Sequence, residues 1–158
     1  MNEVLRQEKK YLLSYDQFRR LDHTFEQVLH PDSHNGKMGY PIRSLYFDTM
    51  QERDFYEKED GLEIRRKIRL RTYSPDSDFA MLEMKQKQGE NQKKRSLRLG
   101  REDAEALSRG EYSCLLHYTD SFAMECYGLM NMLCYRPKAI VEYQRKAYVA
   151  SENKRELL

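Results

Sequence analysis

The sequence predicts an α+β fold in which an antiparallel β-sheet is flanked by peripheral helices. Segments of alternating polar and apolar residues recur along the chain, turns of hairpin length join several of them, and stretches of helical periodicity separate the others. Turns this short connect antiparallel strands. The length of 158 residues suits a single domain.

The composition excludes several classes of protein. Lys and Arg number 28 against 26 Asp and Glu, so the charge is not that of a one-signed disordered tail. No apolar run approaches the roughly 18 residues of a membrane helix, and the N-terminus lacks a secretory signal pattern. Cys114, Cys126 and Cys134 lack the spacing of a metal site and are expected to be free, buried thiols. The composition therefore predicts a cytoplasmic protein without a membrane segment.

The first third of the chain is predicted to contain two strands and one long helix. A strand covers 5–14, and the side chain of Ser14 caps a helix over 15–29. The apolar residues of this helix recur at helical spacing, namely Tyr15, Phe18, Leu21, Phe25, Val28 and Leu29. Residues 30–39 have the composition of a turn-rich loop, and a strand follows over 40–48.

The middle of the chain is predicted to be mostly strand. A short charged helix over 50–59 ends at Asp60-Gly61. Two long strands follow over 62–73 and 79–88, and the turn Ser74-Pro75-Asp76-Ser77-Asp78 joins them.

The last part of the chain returns to helix before a final strand. A second turn, Gly89-Glu90-Asn91, leads into a strand over 92–99. Helices are predicted over 101–108 and 111–133, with a break in the second, and a strand over 138–149 ends the pattern.

The central strands carry cations in line, because side chains alternate between the two faces of a strand. One face of the strand over 62–73 is apolar apart from one arginine, whereas the other presents Glu63, Arg65, Lys67, Arg69 and Arg71, spaced about 6.6 Å apart. The next strand places Glu83, Lys85 and Lys87 opposite Leu82 and Met84. In the strand after it, Lys93 and Arg95 share one face, and Lys94 and Arg98 share the other.

This concentration of positive charge indicates an anion-binding surface. Residues 61–99 contain eleven basic and five acidic side chains, a net charge of +6, whereas the whole chain has +2. Like charges opposite each other across strands are destabilising, and a row of phosphates would offset them, since Arg and Lys both bind phosphate oxygens. Glu8 and Glu83 would relieve the repulsion or help to hold a divalent metal. The alternative is an ordinary sheet with its polar side in water.

Several motifs, in order along nearly the whole chain, resemble those of one known family. They are Glu8-Lys9-Lys10-Tyr11, Ser44-Leu45-Tyr46-Phe47-Asp48-Thr49, Tyr56 with Lys58 and Gly61, Lys67-Ile68-Arg69-Leu70-Arg71, Leu82-Glu83-Met84-Lys85, Lys93-Lys94-Arg95, and Tyr143-Gln144-Arg145-Lys146-Ala147-Tyr148. The sequence is similar to VTC domains, the polyphosphate polymerase branch of the CYTH, or triphosphate tunnel metalloenzyme, superfamily.

The resemblance implies a closed antiparallel β-barrel, or tunnel, of the CYTH type with about eight strands. Residues 1–158 are expected to form a single VTC/CYTH-like domain that carries six of these strands and is incomplete at its C-terminus. The main metal-binding Glu of the family would then lie beyond the chain end. Open sheet edges would favour a homodimer.

The resemblance also implies a function and a set of site residues. The tunnel would bind ATP, polyphosphate, pyrophosphate or triphosphate with Mn²⁺ or Mg²⁺ and transfer a terminal phosphoryl group onto polyphosphate. The positions that match catalytic residues are Lys10, Arg69, Arg71, Lys85 and Arg145. The positions that match substrate-binding residues are Lys67, Lys87, Lys93, Arg95 and Tyr143, and the metal positions are Glu8 and Glu83. Lys94 competes with Lys93, because a shift of one residue exchanges the two faces of a strand.

Two further functions stay open at this point, and a third is disfavoured. The domain is a polyphosphate polymerase-type phosphotransferase if it is complete; otherwise it is a non-catalytic polyphosphate- or nucleotide-binding module. A tunnel triphosphatase is the other alternative. Nucleic acid is not expected as a partner, because the net charge is only +2 and no exposed aromatic platform is predicted on the basic strands.

Overall fold

A computed structural model of the chain describes the backbone of residues 2–5 and all atoms of residues 9–89 and 91–150. These residues form two compact units. The first contains Ile42–Glu142 and the N-terminal strand, and the second contains residues 9–41 and 143–150. Whether residues 1–158 act as one domain stays a prediction.

The elements of the described residues are mostly strands. The strands are β1 (Asn2–Leu5), β2 (His30–Pro31), β3 (Tyr40–Asp48), β4 (Ile64–Thr72), β5 (Phe79–Gln88), β6 (Asn91–Gly100), β7 (Arg136–Arg145) and β8 (Tyr148–Val149). The helices are α1 (Tyr15–Val28), α2 (Arg53–Glu59), α3 (Arg101–Ser108) and α4 (Ser121–Met132), with a 3₁₀ helix over Tyr112–His117.

Six of these strands form one sheet in the order β1-β6-β5-β4-β3-β7, and β2 pairs with β8. The pairs β1/β6, β6/β5, β5/β4 and β4/β3 are antiparallel. The predicted α+β class with antiparallel sheets and few helices is therefore confirmed. Within the residues described, the sheet does not close into a barrel, so the tunnel and a homodimer through its edges stay predictions.

The hydrophobic core of the first unit lies between one face of this sheet and the helices that follow β6. The strands contribute buried Ile68, Leu82, Met84 and Leu99, and the helices contribute buried Leu107, Leu115, Phe122 and Met130. Each such side chain stabilises the fold by about 1.5–3 kcal/mol when fully buried. Since the core occupies one face of the sheet, the alternate side chains of β4 and β5 must lie on the other face.

The structure corrects the predicted elements at two places. The strand predicted over 5–14 is wrong, because β1 ends at Leu5, opposite Lys93 and close to the start of β6, and residues 9–14 form no strand. The break predicted in the helix over 111–133 is confirmed, with Asp120 capping α4 through the backbone N–H of Phe122. The final strand is interrupted between β7 and β8. The predicted cap at Ser14 is confirmed, since its Oγ accepts the N–H of Gln17.

The structure tests two expectations from the composition, namely that the three cysteines are buried free thiols and that the chain has no membrane segment. Cys114 and Cys126 are buried free thiols, whereas Cys134 is exposed at a positive φ of 51° after α4, so its predicted burial is wrong. Among residues 2–5, 9–89 and 91–150, no helix is both long and apolar enough to cross a membrane.

Candidate functional site

The face of the sheet opposite the core carries a patch of charged and polar side chains. The pairing register places Tyr46, Arg69, Glu83 and Ser96 in one row across four strands, and Lys67, Lys85 and Lys94 in the next. We call this surface the charged face, and its members are Ser44, Tyr46, Arg65, Lys67, Arg69, Arg71, Glu83, Lys85, Lys87, Lys94, Ser96 and Arg98.

Arg69 and Glu83 form the centre of the charged face. Arg69 is 9% exposed and Glu83 is 2% exposed. Nε and Nη2 of Arg69 lie 2.7 and 2.6 Å from Oε2 of Glu83. Nη1 of Arg69 donates to the hydroxyl of Tyr46 at 3.0 Å. The tyrosine on β3 and the carboxylate on β5 thus orient the guanidinium from both sides.

Two more cations share the same carboxylate. Nζ of Lys94 lies 2.5 Å from Oε1 of Glu83, and Nε of Arg71, which is 5% exposed, lies 3.8 Å from Oε2. Nε of Arg71 also donates to Oγ of Ser44 at 3.5 Å. Three positive charges therefore surround one negative charge in a buried setting.

Burial and the three neighbouring cations together set the pKa of Glu83. Burial by itself would raise the pKa of Glu83, but the charges of Arg69, Lys94 and Arg71 outweigh burial and hold the pKa below its ordinary value. Burial would likewise lower the pKa of Arg69, and Glu83 and Tyr46 reverse that effect and raise it. The carboxylate and the guanidinium are thus both charged, and the cluster keeps a surplus of positive charge.

A comparison with known proteins places the chain in a family. Residues 5–157 match the family model of the VTC domain. The chain belongs to the VTC domain family. No curated protein matches it.

Two solved structures are similar to this VTC domain at low sequence identity. A candidate adenylate cyclase from Bacillus halodurans is 14% identical with a TM-score of 0.55, over 90% of this chain and 63% of that protein. A candidate adenylate cyclase from Vibrio parahaemolyticus is 13% identical with a TM-score of 0.48, over 95% of this chain and 64% of that protein. The first likeness shows a CYTH-like α+β fold. The VTC domain chain spans less than two thirds of the length of either protein.

The structure decides between Lys93 and Lys94. Lys94 is opposite Lys85 on the charged face, whereas Lys93 and Arg95 lie on the opposite face of the sheet. Gln88 pairs with Asn91, so β6 begins within the turn predicted over 89–91. A shift of one residue exchanges the faces of a strand, so Lys93 and Arg95 do not join the cations of β4 and β5 on the charged face. Their predicted contact with substrate stays a prediction.

In this VTC domain Arg95 contacts side chains of α4. Its Nη1 and Nη2 lie 2.5 and 2.6 Å from the two carboxylate oxygens of Glu125 in α4. Its Cζ lies 5.0 Å from the centroid of the Phe122 ring, and Nη2 donates to Gln86 at 2.9 Å. Arg95 therefore stabilises the packing of α4 against β6.

Other predicted residues occupy the edge of the charged face. Lys87 is opposite Arg65 at the end of β5, and both line a groove of about 510 Å³ that also contains Arg66 and Lys93. Within the described part of the chain, Lys87 and Arg65 form no ion pair. These side chains extend the positive surface beyond Lys67 and Lys85.

Three predicted residues belong to the second unit. Lys10 is exposed outside any strand, and Tyr143 and Arg145 lie at the end of β7. Tyr143 and Arg145 line a groove of about 320 Å³ with Phe18 and Asp22 of α1. Their predicted contact with phosphate stays a prediction. Glu8 lies outside the described residues.

The residues described do not by themselves fit a divalent metal. Both oxygens of Glu83 are already paired with cations. Elsewhere in residues 9–89 and 91–150, no three His, Cys, Asp or Glu side chains come together as a metal site. The assignment of Glu83 and Glu8 to Mn²⁺ or Mg²⁺ therefore stays a prediction.

Sequence reasoning missed the two β3 residues that hydrogen-bond the arginines of the site, Ser44 and Tyr46. Both belong to the VTC motif Ser44–Thr49, and their alternation along β3 could have placed them on one face. Asp48 of the same motif has a structural role, since Oδ1 accepts the N–H of Asp54 at 2.9 Å and Oδ2 accepts that of Phe55 at 2.9 Å. It thereby fixes the start of α2 against the end of β3.

Proposed function

We propose that the charged face of this VTC domain binds the triphosphate of a nucleotide or the end of a polyphosphate chain. The observation that carries the proposal is the cluster of Arg69, Arg71 and Lys94 around the single carboxylate of Glu83. A surplus of buried positive charge is costly unless an anion compensates it. Phosphate oxygens fit this need, because guanidinium groups bind them through paired hydrogen bonds.

The same residues suit phosphoryl transfer, which requires positioning and charge neutralisation more than covalent chemistry from the protein. Arg69 and Arg71 would hold the inner phosphates, and Lys85 and Lys94 would neutralise the terminal one. Tyr46 would keep Arg69 in position. We propose, in line with the family resemblance, that a closed tunnel in the whole protein transfers the terminal phosphoryl group of ATP to polyphosphate, and that Lys10, Tyr143 and Arg145 bind phosphate as the resemblance implies.

A divalent metal enters this proposal only through the family resemblance. Mn²⁺ or Mg²⁺ would supply further charge neutralisation at the phosphates when bound. No step is assigned to it here, since Glu83 is paired with three cations. Metal dependence is therefore one arm of the experiment below.

The proposal is tested by calorimetric titration of the 158-residue chain with tripolyphosphate, with and without Mn²⁺. We expect the wild-type chain to bind and the combined change Arg69→Ala and Arg71→Ala to abolish binding. The matched control is Arg101→Ala with Arg109→Ala, which removes two exposed cations from α3 and its C-terminal end. Circular dichroism on both variants checks that they fold. Unchanged affinity in a folded Arg69/Arg71 variant would overturn the assignment.

Incubation with ATP then separates the modes of action. Elongation of polyphosphate supports the polymerase, release of tripolyphosphate or orthophosphate supports a triphosphatase, and binding without turnover supports a binding module. An oligonucleotide with the same number of phosphates should displace tripolyphosphate poorly, because its charge is spread along a bulky backbone. Effective displacement would instead favour nucleic acid as the ligand.

A further inference from the structure

The groove of about 510 Å³ lies at the end of the sheet where β4 and β6 begin and β5 ends, next to α2. Two rows of paired residues line it on the face of the sheet opposite the charged face. One row is Arg66, Gln86 and Lys93, and the other is Ile64, Gln88 and Asn91. This part of the sheet thus presents basic, amide and aliphatic side chains side by side.

The groove is strongly positive. Its described lining residues include five cations, namely Arg53, Arg65, Arg66, Lys87 and Lys93, and one carboxylate, that of Glu57. Oε1 of Glu57 lies 2.6 Å from Nε of Arg53, so this carboxylate is already paired with a cation. The other four cations are each half-buried. A cleft lined by charges of one sign focuses the electrostatic potential and attracts ligands of the opposite sign.

The charge of Glu125, on α4, also acts on two of these cations, and this carboxylate is engaged as well. Its two oxygens lie 2.5 and 2.6 Å from Nη1 and Nη2 of Arg95. Hydrogen bonds from Arg95, with the charges of Arg95, Lys93 and Arg66, hold the pKa of Glu125 below its ordinary value. One negative charge is therefore shared among three cations, and the positive charge of the groove exceeds it.

The groove offers contacts that an inorganic anion does not use. Ile64 is 72% exposed. The side-chain amides of Gln86, Gln88 and Asn91 can both donate hydrogen bonds to peptide groups and accept them. None of the described residues that line the groove is aromatic, so the bases of a nucleic acid would have no ring to stack on. The lining is therefore complementary to a chain that carries carboxylates, peptide groups and aliphatic side chains together.

We infer that this groove docks an acidic, extended segment of another protein. Carboxylates of the segment pair with Arg66 and Lys93, its backbone binds the amides, and an aliphatic side chain packs on Ile64. The inference goes beyond the proposed function, because Arg66 and Ile64 lie on the face of the sheet away from the cluster of Arg69 and Glu83. The partner and a phosphate ligand thus occupy different faces of one sheet.

The test measures the fluorescence anisotropy of a labelled acidic peptide built of Asp-Leu-Glu-Ser repeats. Wild type should bind it, and more weakly as salt rises. Arg66→Gln should weaken binding by about tenfold, because it removes a half-buried cation, and Ile64→Ser by about fivefold, because it removes an apolar contact. The controls Arg109→Gln and Leu116→Ser remove an exposed cation and a 47% exposed apolar side chain elsewhere and should leave the affinity unchanged.

A second peptide, in which Ser replaces every Leu, isolates the apolar contact. It should bind wild type more weakly than the first peptide does, and Ile64→Ser should not weaken it further, because the contact is already lost. This comparison is made on two well-matched proteins and does not depend on how Arg66→Gln folds. Circular dichroism checks the fold of every variant.

The outcomes separate this inference from the proposed function. Tripolyphosphate should bind wild type and Arg66→Gln equally; if it binds neither, the proposed function fails and the peptide result stands by itself. Absence of peptide binding by wild type, or unchanged binding by Arg66→Gln and Ile64→Ser, would overturn the inference. Sensitivity to Arg66→Gln without sensitivity to Ile64→Ser would overturn it too, because the groove would then bind any polyanion and not a protein segment.

Discussion

Two nitrogens of Arg69 contact the same carboxylate oxygen of Glu83. Nε and Nη2 of the arginine lie 2.7 and 2.6 Å from Oε2 of the glutamate. The other oxygen, Oε1, lies 2.5 Å from Nζ of Lys94. Both oxygens of the carboxylate are thus paired with cations. Glu83 acts in this structure as the common counter-ion of the charged face.

Replacing Glu83 by Gln should make the fold depend on an external anion. The change leaves the buried Arg69 and Arg71 and the half-buried Lys94 near one another without a negative charge, and should lower the free energy of unfolding by about 3–5 kcal/mol. Tripolyphosphate should raise the melting temperature of Glu83→Gln by more than that of wild type, because the ligand replaces the lost charge. Thermal unfolding with and without tripolyphosphate measures both effects.

The matched control for this experiment is Glu125→Gln. Glu125 pairs with Arg95 on the other face, and 44% of its side chain is exposed. Because Arg95 is only 11% exposed, loss of its partner should also lower the free energy of unfolding. It should confer no extra response to tripolyphosphate, since the pair lies on the face opposite the charged face. An equal response of the two variants would contradict the role of Glu83.

Lys94→Gln and Lys93→Gln should differ in their effect on phosphate binding although the residues are adjacent. Lys94 lies on the charged face, so its loss should weaken tripolyphosphate binding by about tenfold. Lys93 lies on the other face, so its loss should act only through screened, long-range charge. Calorimetry at equal salt concentration measures the affinity of both variants for tripolyphosphate. A larger loss of affinity in Lys93→Gln than in Lys94→Gln would show that the register of β6 is wrong.

The buried pair of Asp54 and Tyr135 should make stability depend on pH. The hydroxyl of Tyr135 donates to the carboxylate of Asp54 at 2.9 and 2.8 Å. Burial raises the pKa of Asp54 from 3.8 to about 6, although the hydrogen bond from Tyr135 opposes it. The native state then binds the proton more tightly than the unfolded state, so the free energy of unfolding should fall as pH rises from about 4 to about 6 and this contribution should level off above that.

Asp54→Asn tests this source of pH dependence. The amide oxygen of Asn can still accept the hydroxyl of Tyr135, but the side chain does not titrate. The difference in unfolding free energy between variant and wild type, measured by urea denaturation from pH 4 to pH 7, should therefore favour the variant increasingly as pH rises. A difference that does not change with pH would assign the titration to another group.

Gly39→Ala should disrupt the second unit. Gly39 has a φ of +82°, and a Cβ atom there would lie 2.3 Å from the carbonyl oxygen of Arg145. The backbone at the end of β7 would have to move, at a cost of at least about 1 kcal/mol. Gly61→Ala, which has a positive φ but nothing within 4 Å of its added Cβ, is the control. We expect hydrogen exchange near Arg145 to accelerate in Gly39→Ala alone, and protection equal to that of the control would refute the close approach.

Local sequence signals predicted most of the elements, because short-range patterns specify them. The turn over 74–78 contains Pro and Asp, and α3 begins and ends at the residues predicted, Arg101 and Ser108. The strand over 5–14 was predicted from alternation alone, whereas a strand needs a partner. β6, which pairs with β1, begins at Asn91, and the described ladder between them ends at Leu5, opposite Lys93.

Part of the candidate site was predicted correctly, because alternation along a strand is also a short-range pattern. The alternation along β4 and β5 correctly grouped Arg69, Arg71 and Lys85 with Glu83 on one face. The resemblance gives Lys93 with Lys94 as its alternative, and the pairing of Gln88 with Asn91 places Lys94 on this face. Because side chains alternate with a period of two, a shift of one residue in this pairing changes the face of every side chain in β6.

The amino-acid sequence thus determined the α+β class, the order of strands and helices, and the concentration of cations between residues 61 and 99. These follow from neighbouring residues and need no knowledge of the partner strand. The tertiary arrangement determined that Glu83 is the shared counter-ion of three cations and that Tyr46 orients Arg69. Tyr46 and Arg69 are 23 positions apart in the chain, and only the pairing of β3 with β4 and the burial of their polar face bring the two side chains into contact.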